Sequence, residues 1–140
     1  MKLEEHHTTL TKQIMSSRTY DVVVWGSTGF TGRLSCEYIS KNYPTLKWAL
    51  AGRKRSALEE IRTSLGLGES VGIIVADLAD TPSVLAMAKS TTVLLSAAGP
   101  YAKIGTPIVQ ACVEAGTHYC DLAGETPWIR EMIDRYSADA

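Results

Sequence analysis

The sequence is poor in the residues that hold disulfide-linked or metal-linked folds together. Its three cysteines form no Cys-x-x-Cys pair, and their odd number argues against a disulfide framework. We therefore expect reduced thiols that act as packing residues in a cytoplasmic protein. Three histidines offer too few ligands for a structural zinc site, so no metal is expected. The residues concerned are Cys36, Cys112, Cys120, His6, His7 and His118.

An excess of one charge and long apolar runs are also missing. The net charge is −1, which gives no electrostatic basis for binding nucleic acid. No apolar run approaches the roughly 20 residues of a membrane span. The composition, 45% hydrophobic over 140 residues, is that of one globular domain. Because residues 1–18 are polar and aperiodic, we expect a disordered tail there and a single domain over residues 19–140.

A valine-rich stretch that ends in regularly spaced glycines organises the rest of the chain. Residues 20–25 (YDVVVW) are typical of a strand buried on both faces, and Gly26, Gly29 and Gly32 follow it. Gly26 allows a tight turn, Gly29 lets a diphosphate approach the backbone, and Gly32 lets helix and strand pack closely. A glycine-rich turn without any ligand is the alternative. The predicted diphosphate-binding residues are Gly26, Ser27, Thr28, Gly29, Phe30, Thr31 and Gly32.

Strands and helices alternate along the chain after the glycines. Phe30, Leu34 and Tyr38 recur at helical spacing and predict the apolar face of a first helix. The Thr-Pro pairs at 81, 106 and 126 predict helices with threonine as N-cap and proline at the first helical position. Five strands and five helices predict an α/β fold, a Rossmann-like doubly wound parallel sheet in the order 3-2-1-4-5. The later strands are expected at 46–51, 71–76, 92–97 and 117–122, and the second helix at 56–67.

In such a sheet the ligand lies across the carboxyl ends of the strands. The second strand is followed by Arg53, with no acid before Glu59, which favours the 2′-phosphate of NADP(H) over the ribose of NAD(H). A solvated basic turn is the alternative. Asp77 can accept a hydrogen bond from the adenine amino group, or it can be an N-cap or turn residue. After the fourth strand, Gly99 leaves room for the nicotinamide half, and Tyr101 either borders it or packs on the following helix.

Two acids after the fifth strand are candidates for acid–base chemistry. Asp121 and Glu125 point toward the crevice in this topology, although capping of the helix after Thr126 is the favoured role for Glu125. His118 lies at the far end of the sheet and is expected to be structural. Tyr43 and Lys47 match the spacing of a short-chain dehydrogenase pair, but Pro44 separates them in a loop, so we regard the match as chance. The catalytic residues remain unassigned.

Several segments together resemble the amino-terminal NADP-binding domain of the saccharopine dehydrogenase-like oxidoreductases. They are YDVVVWGSTGFTGR, WALAGR, ADLAD, SAAGPYAKIGTPIVQACVEAGTHYCDLAGE and TPWIREMIDRY, within residues 20–136. The resemblance implies NADP(H) as cofactor, with residues 26–32 at the diphosphate, Arg53 at the phosphate and Gly99, Pro100 and Tyr101 beside the nicotinamide. Some members of this family are similar to trans-acting enoyl reductases of lipid and glycolipid assembly, and animal members are associated with lipid droplets.

Members of this family are several hundred residues long and carry a second domain that supplies the substrate site. We expect that domain to be absent here, which makes this chain incomplete as an enzyme; a non-catalytic NADP-sensing module is the alternative. The expected partners are a nicotinamide dinucleotide, an unidentified small-molecule or lipid-linked substrate and a second copy of the chain. Uncovered apolar surface is expected around Trp128, Ile129 and Tyr136. The expected reduced thiols indicate the cytoplasm, and the resemblance implies a lipid droplet or membrane surface as a further location.

Overall fold

The computed structural model describes residues 18–140, so the tail expected at the amino terminus lies almost wholly outside the described residues. The strands are β1 Tyr20–Trp25, β2 Trp48–Gly52, β3 Gly72–Val75, β4 Thr91–Ser96 and β5 His118–Asp121. The helices are α1 Phe30–Asn42, α2 Arg55–Ser64, α3 Thr81–Lys89, α4 Tyr101–Ile104, α5 Thr106–Ala115 and α6 Thr126–Tyr136.

The five strands form one parallel sheet in the order β3-β2-β1-β4-β5, which confirms the predicted topology. β1 is central: Val24 pairs with Leu50 of β2 on one side and with Leu95 of β4 on the other. All four strand pairs are parallel, so all five carboxyl ends lie along one edge of the sheet. Successive strands are added on one side of β1 up to β3 and on its other side from β4 onward. A crevice opens at the point where this direction of addition reverses.

The sheet is covered on both faces, as expected for parallel strands. Successive residues of β1 point to opposite faces: Val23 belongs to the core under α3 and α5, whereas Val24 belongs to the core under α1 and α2. A third, smaller cluster joins α6 to the rest of the domain. It contains Tyr101, Val109, Trp128 and Met132.

The apolar face predicted for α1 is wrong. Phe30 is 83% exposed and Tyr38 is 59% exposed, and the buried face of the helix carries Gly32, Cys36 and Ile39 instead. The cause is steric. A Cβ atom on residue 32 would overlap the carbonyl oxygen of Gly26, so this glycine marks the side of the helix that touches the turn. Residues 36 and 39 follow at helical spacing and must face inward with it.

The prediction that three threonines are N-cap residues is also wrong, because each lies one position further along, inside its helix. Thr81, Thr106 and Thr126 are each the first residue of their helix, with proline second, and none of the three helices has a side-chain hydrogen bond at its cap. The short helix α4 was not predicted. Trp128 is buried rather than uncovered, because its ring packs 5.5 Å from that of Tyr101 and its Nε1–H donates to Thr106 Oγ1 at 3.0 Å.

Arg18, assigned from the sequence to the tail, fastens the amino end of the sheet. Its guanidinium donates to the carbonyl oxygens of Ala88 at 2.9 Å and Thr91 at 2.7 Å. It also donates to Thr117 Oγ1 and to the carbonyl oxygens of Ala115 and Gly116. One side chain therefore links the ends of α3 and α5 to the starts of β4 and β5, at the edge opposite the crevice.

Candidate functional site

A cleft of about 400 Å³ opens at the carboxyl ends of the strands. The turn after β1 forms its floor, the ends of β2 and β3 form one side, and the segment after β4 forms the other. The cleft therefore lies at the predicted place. Its lining residues are Trp25, Gly26, Thr28, Gly29, Gly52, Arg53, Asp77, Leu78, Ala97, Ala98, Gly99 and Ile104.

Two glycines of the turn are required by the fold itself. Gly26 has φ +82°, which side chains rarely adopt, and its N–H donates to the carbonyl oxygen of Ala51 at 3.0 Å. At Gly32 an added Cβ would lie 2.7 Å from the carbonyl carbon of Gly26, besides overlapping its oxygen. These two residues shape the turn and bring α1 close to it, whether or not a ligand is bound.

Gly29 is different, because nothing in the fold requires a glycine there. Its φ of −79° and ψ of 168° are extended backbone that any residue adopts. Within 4 Å an added Cβ would meet only the carbonyl oxygen of Gly26, at 3.4 Å. α1 begins next to this open space with no side-chain cap and no acid in its first turn. Free N–H groups and the positive end of a helix beside an empty volume fit an anionic group such as a diphosphate.

Of the other residues predicted to bind the diphosphate, some line the cleft and others do not. Thr28 lines the cleft, but Ser27 is fully buried: its hydroxyl donates to the carbonyl oxygen of Val24 at 2.6 Å and accepts from the N–H of Ala51 at 3.2 Å. This hydroxyl joins the ends of β1 and β2. Phe30 and Thr31 are exposed in the first turn of α1 and are not among the residues that line the cleft.

Arg53 follows β2 directly, is exposed and lines the cleft. Within residues 18–140 its guanidinium makes no hydrogen bond or ion pair, whereas Arg55 lies 3.9 Å from Glu59. Among residues 18–140, Arg53 is thus a cation of the cleft without a partner, and Glu59, the nearest acid along the chain, lies beside Arg55 instead. On the same side, Asp77 Oδ1 accepts from the N–H of Ala79 at 2.9 Å, so the turn anticipated as its alternative role is present.

The segment after β4 is held by Tyr101, whose side chain is buried. The hydroxyl donates to the carbonyl oxygen of Ser96 at 2.9 Å and accepts from the N–H of Leu122 at 3.3 Å. Burial raises the pKa of this phenol, and the nearby carboxylates add to the effect. Of the two roles predicted for Tyr101, its side chain therefore has the packing role. Gly99 lines the cleft and Pro100 is exposed beside it; their contact with nicotinamide stays a prediction.

Both acid–base candidates are occupied by hydrogen bonds. Asp121 Oδ2 accepts from the hydroxyl of Tyr119 at 2.7 Å, and its Oδ1 accepts from the N–H of Ala123 at 3.0 Å. Burial and this acceptor raise the pKa of Tyr119. The carboxylate of Glu125 accepts from two backbone N–H groups of α4. Both oxygens of each carboxylate therefore already accept a hydrogen bond from the protein.

Contrary to the prediction, the side chain of Glu125 does not cap the helix that follows it. It occupies the cap position of α6 without a side-chain hydrogen bond to that helix. Its Oε1 instead accepts from the N–H of Tyr101 at 2.7 Å and its Oε2 from the N–H of Ala102 at 2.8 Å. Sequence reasoning could not find this contact, because 24 residues separate the partners.

The remaining candidates lie away from the cleft. Tyr43 and Lys47 are exposed and do not line it, in agreement with a chance match. Burial raises the pKa of Cys36 to about 11 and that of Cys112 to about 12, so both are packing thiols, whereas Cys120 is exposed. In the part of the chain that the structure describes, no group of acids, cysteines and histidines could hold a metal. No helix among residues 18–140 is long and apolar enough to span a membrane.

Comparison with known proteins agrees with this geometry. Residues 22–140 match the family described as the saccharopine dehydrogenase NADP binding domain. A trans-acting enoyl reductase of Mycobacterium tuberculosis is 39% identical over 126 residues, which are 89% of this chain and 30% of the relative. The corresponding protein of Mycobacterium leprae is 39% identical over 124 residues. The chain thus spans about 30% of the length of the curated relatives that it matches.

Solved structures show the same fold at lower identity. The apo saccharopine dehydrogenase (L-Glu forming) of Saccharomyces cerevisiae superposes with a TM-score of 0.67 at 18% identity, over 81% of this chain and 24% of that one. AtPrR2 with NADP+ and (+)pinoresinol superposes with a TM-score of 0.61 at 17% identity, over 86% of this chain and 48% of the other.

Proposed function

The chain belongs to the family of saccharopine dehydrogenase NADP-binding domains, and we propose that it supplies the cofactor half of an NADP(H)-dependent oxidoreductase. One observation carries the proposal: the turn after β1, Arg53 and Gly99 come from distant parts of the sequence and line a single cleft at the carboxyl ends of the strands. We assign residues 19–140 to this cofactor-binding domain.

The residues of the cleft fit NADP(H) in three respects. The space beside Gly29, which a side chain would fill, accommodates the diphosphate against the first turn of α1. The guanidinium of Arg53, which has no partner among residues 18–140, lies at the end of β2, where the 2′-phosphate is expected, and a planar fork of donors suits a phosphate. The small residues Ala97, Ala98 and Gly99 leave room for the ribose and nicotinamide. When bound, the cofactor would supply the hydride, and these residues would bind and orient the cofactor.

The activity of the whole protein is proposed from its relatives. Trans-acting enoyl reductases match this chain over about 30% of their own length, so their remaining part has room for a substrate site. We propose that the protein reduces a lipid-linked or small-molecule substrate with NADPH and that the substrate is held outside residues 18–140. We place the protein in the cytoplasm, in contact with a lipid surface where its substrate is lipid-linked.

Comparison of NADPH and NADH binding tests the cofactor assignment. Calorimetric titration of the wild-type chain is expected to give tighter binding of NADPH. Replacement Arg53→Ala should weaken NADPH by roughly 1.5–3 kcal/mol and leave NADH nearly unchanged, because only NADPH carries the phosphate that the guanidinium would contact. Lys41→Ala is the matched control, since it removes an exposed cation that pairs with Glu37 in the last turn of α1, away from the cleft. Equal affinities of the wild-type chain for the two cofactors would refute the assignment.

A further inference from the structure

The carboxylate of Glu125 makes an unusual long-range cap. Its two oxygens accept from the consecutive N–H groups of Tyr101 and Ala102, at 2.7 and 2.8 Å, in the first turn of α4. α4 has only four residues, too few for a helix to be stable without outside support. Within the described residues Glu125 has no lysine or arginine partner, so these two N–H groups are its polar contacts.

The segment that this cap fixes is one wall of the cleft. Ala97, Ala98 and Gly99, which precede α4, and Ile104, its last residue, all line it. The wall already lies close to the floor, since a Cβ on Gly26 would be 2.9 Å from the Cβ of Ala98. A small displacement of the wall would therefore change the width of the cleft on the side where the nicotinamide is expected.

We propose that Glu125 is a positioning residue that holds this wall at the distance required by the nicotinamide half of the cofactor. The inference rests on the proposed cofactor site. A carboxylate suits the task because both of its oxygens accept, and charge-assisted hydrogen bonds to N–H groups at a helix start are strong. A glutamine offers one acceptor oxygen and keeps the shape, and an alanine offers none. The wall should loosen in that order.

Two ligands separate positioning from a general structural role. NADPH reaches across the whole cleft, whereas adenosine 2′,5′-bisphosphate carries only the adenine and 2′-phosphate half. Both are titrated into the wild-type chain, Glu125→Gln and Glu125→Ala. The control is Glu131→Gln, which removes an exposed carboxylate of α6 that pairs with Arg135. We expect NADPH binding to weaken roughly tenfold or more in Glu125→Ala and less in Glu125→Gln, since successive charge-assisted bonds are lost.

Binding of adenosine 2′,5′-bisphosphate should remain as in the wild type for every variant. If both ligands weaken together, Glu125 supports the whole domain and the inference is overturned. If neither weakens while the wild-type chain binds NADPH normally, only this inference fails. If the wild-type chain binds neither ligand, the proposed function fails and this inference fails with it.

Discussion

Replacement of Gly29 by valine tests whether glycine is required at this position for ligand binding or for folding. The extended φ and ψ of residue 29 accept a β-branched side chain, and its Cβ would meet only one atom, at 3.4 Å. A gain of roughly 0.4–1 kcal/mol from lower unfolded-state entropy offsets a poorer helix cap of similar size. The free energy of unfolding should therefore change by less than about 1 kcal/mol. The new methyl groups would nevertheless occupy the space proposed for the diphosphate, so binding of NADPH and of NADH should be lost.

Thermal unfolding with and without NADPH measures both effects at once. A ligand at about 100 times its Kd adds about 2.7 kcal/mol to wild-type stability, and Gly29→Val should gain nothing. Gly32→Ala is the steric control: its Cβ overlaps the carbonyl oxygen of Gly26, so the unliganded domain should lose roughly 1–3 kcal/mol or more. The reasoning is refuted if Gly29→Val is folded and gains the same stabilisation from NADPH as the wild type.

Two further predictions concern the opposite edge of the sheet and the reaction. Arg18→Ala should lower the free energy of unfolding in urea by roughly 2–4 kcal/mol, because several carbonyl groups lose a charged donor, without altering NADPH affinity; an effect as small as that of Arg130→Ala would contradict this. The 140-residue polypeptide alone should bind NADPH but not oxidise it in the presence of enoyl or saccharopine-like substrates, because the proposed substrate site lies outside it and nothing would hold the substrate at reaction distance from the nicotinamide. Turnover followed at the NADPH absorbance would overturn it.

The topology could be predicted because its signals are local. Each strand is a short apolar run bounded by turn residues, and the strand–glycine–helix order of residues 20–32 places β1 in the centre of the sheet. The position of Arg53 followed from the same logic, since the end of a parallel strand and the crevice lie at one edge. Chain order and parallel pairing were enough to bring these parts together.

The face that a helix buries and the contacts between distant parts of the chain could not be predicted in this way. The stripe of Phe30, Leu34 and Tyr38 has helical spacing, yet a single steric contact of Gly32 turns that stripe to solvent. Trp128 was expected on an open surface, but it packs on Tyr101 across a gap of more than twenty residues. Hydrophobicity shows that a helix has two faces; the contact that selects between them depends on atoms from another element.

The two acids after β5 show why a strand-end position alone does not identify a catalytic residue. Asp121 accepts from Tyr119 and Ala123, and Glu125 accepts from Tyr101 and Ala102, so each carboxylate already has a donor on both of its oxygens. A proton shuttle must exchange its partner during the reaction, and these carboxylates would lose two favourable contacts in doing so. Their geometry is suited to holding loops in place. The hydrogen bonds of both carboxylates therefore support a role in holding the segments after β4 and β5, and position at a strand end does not by itself make either acid a catalytic residue.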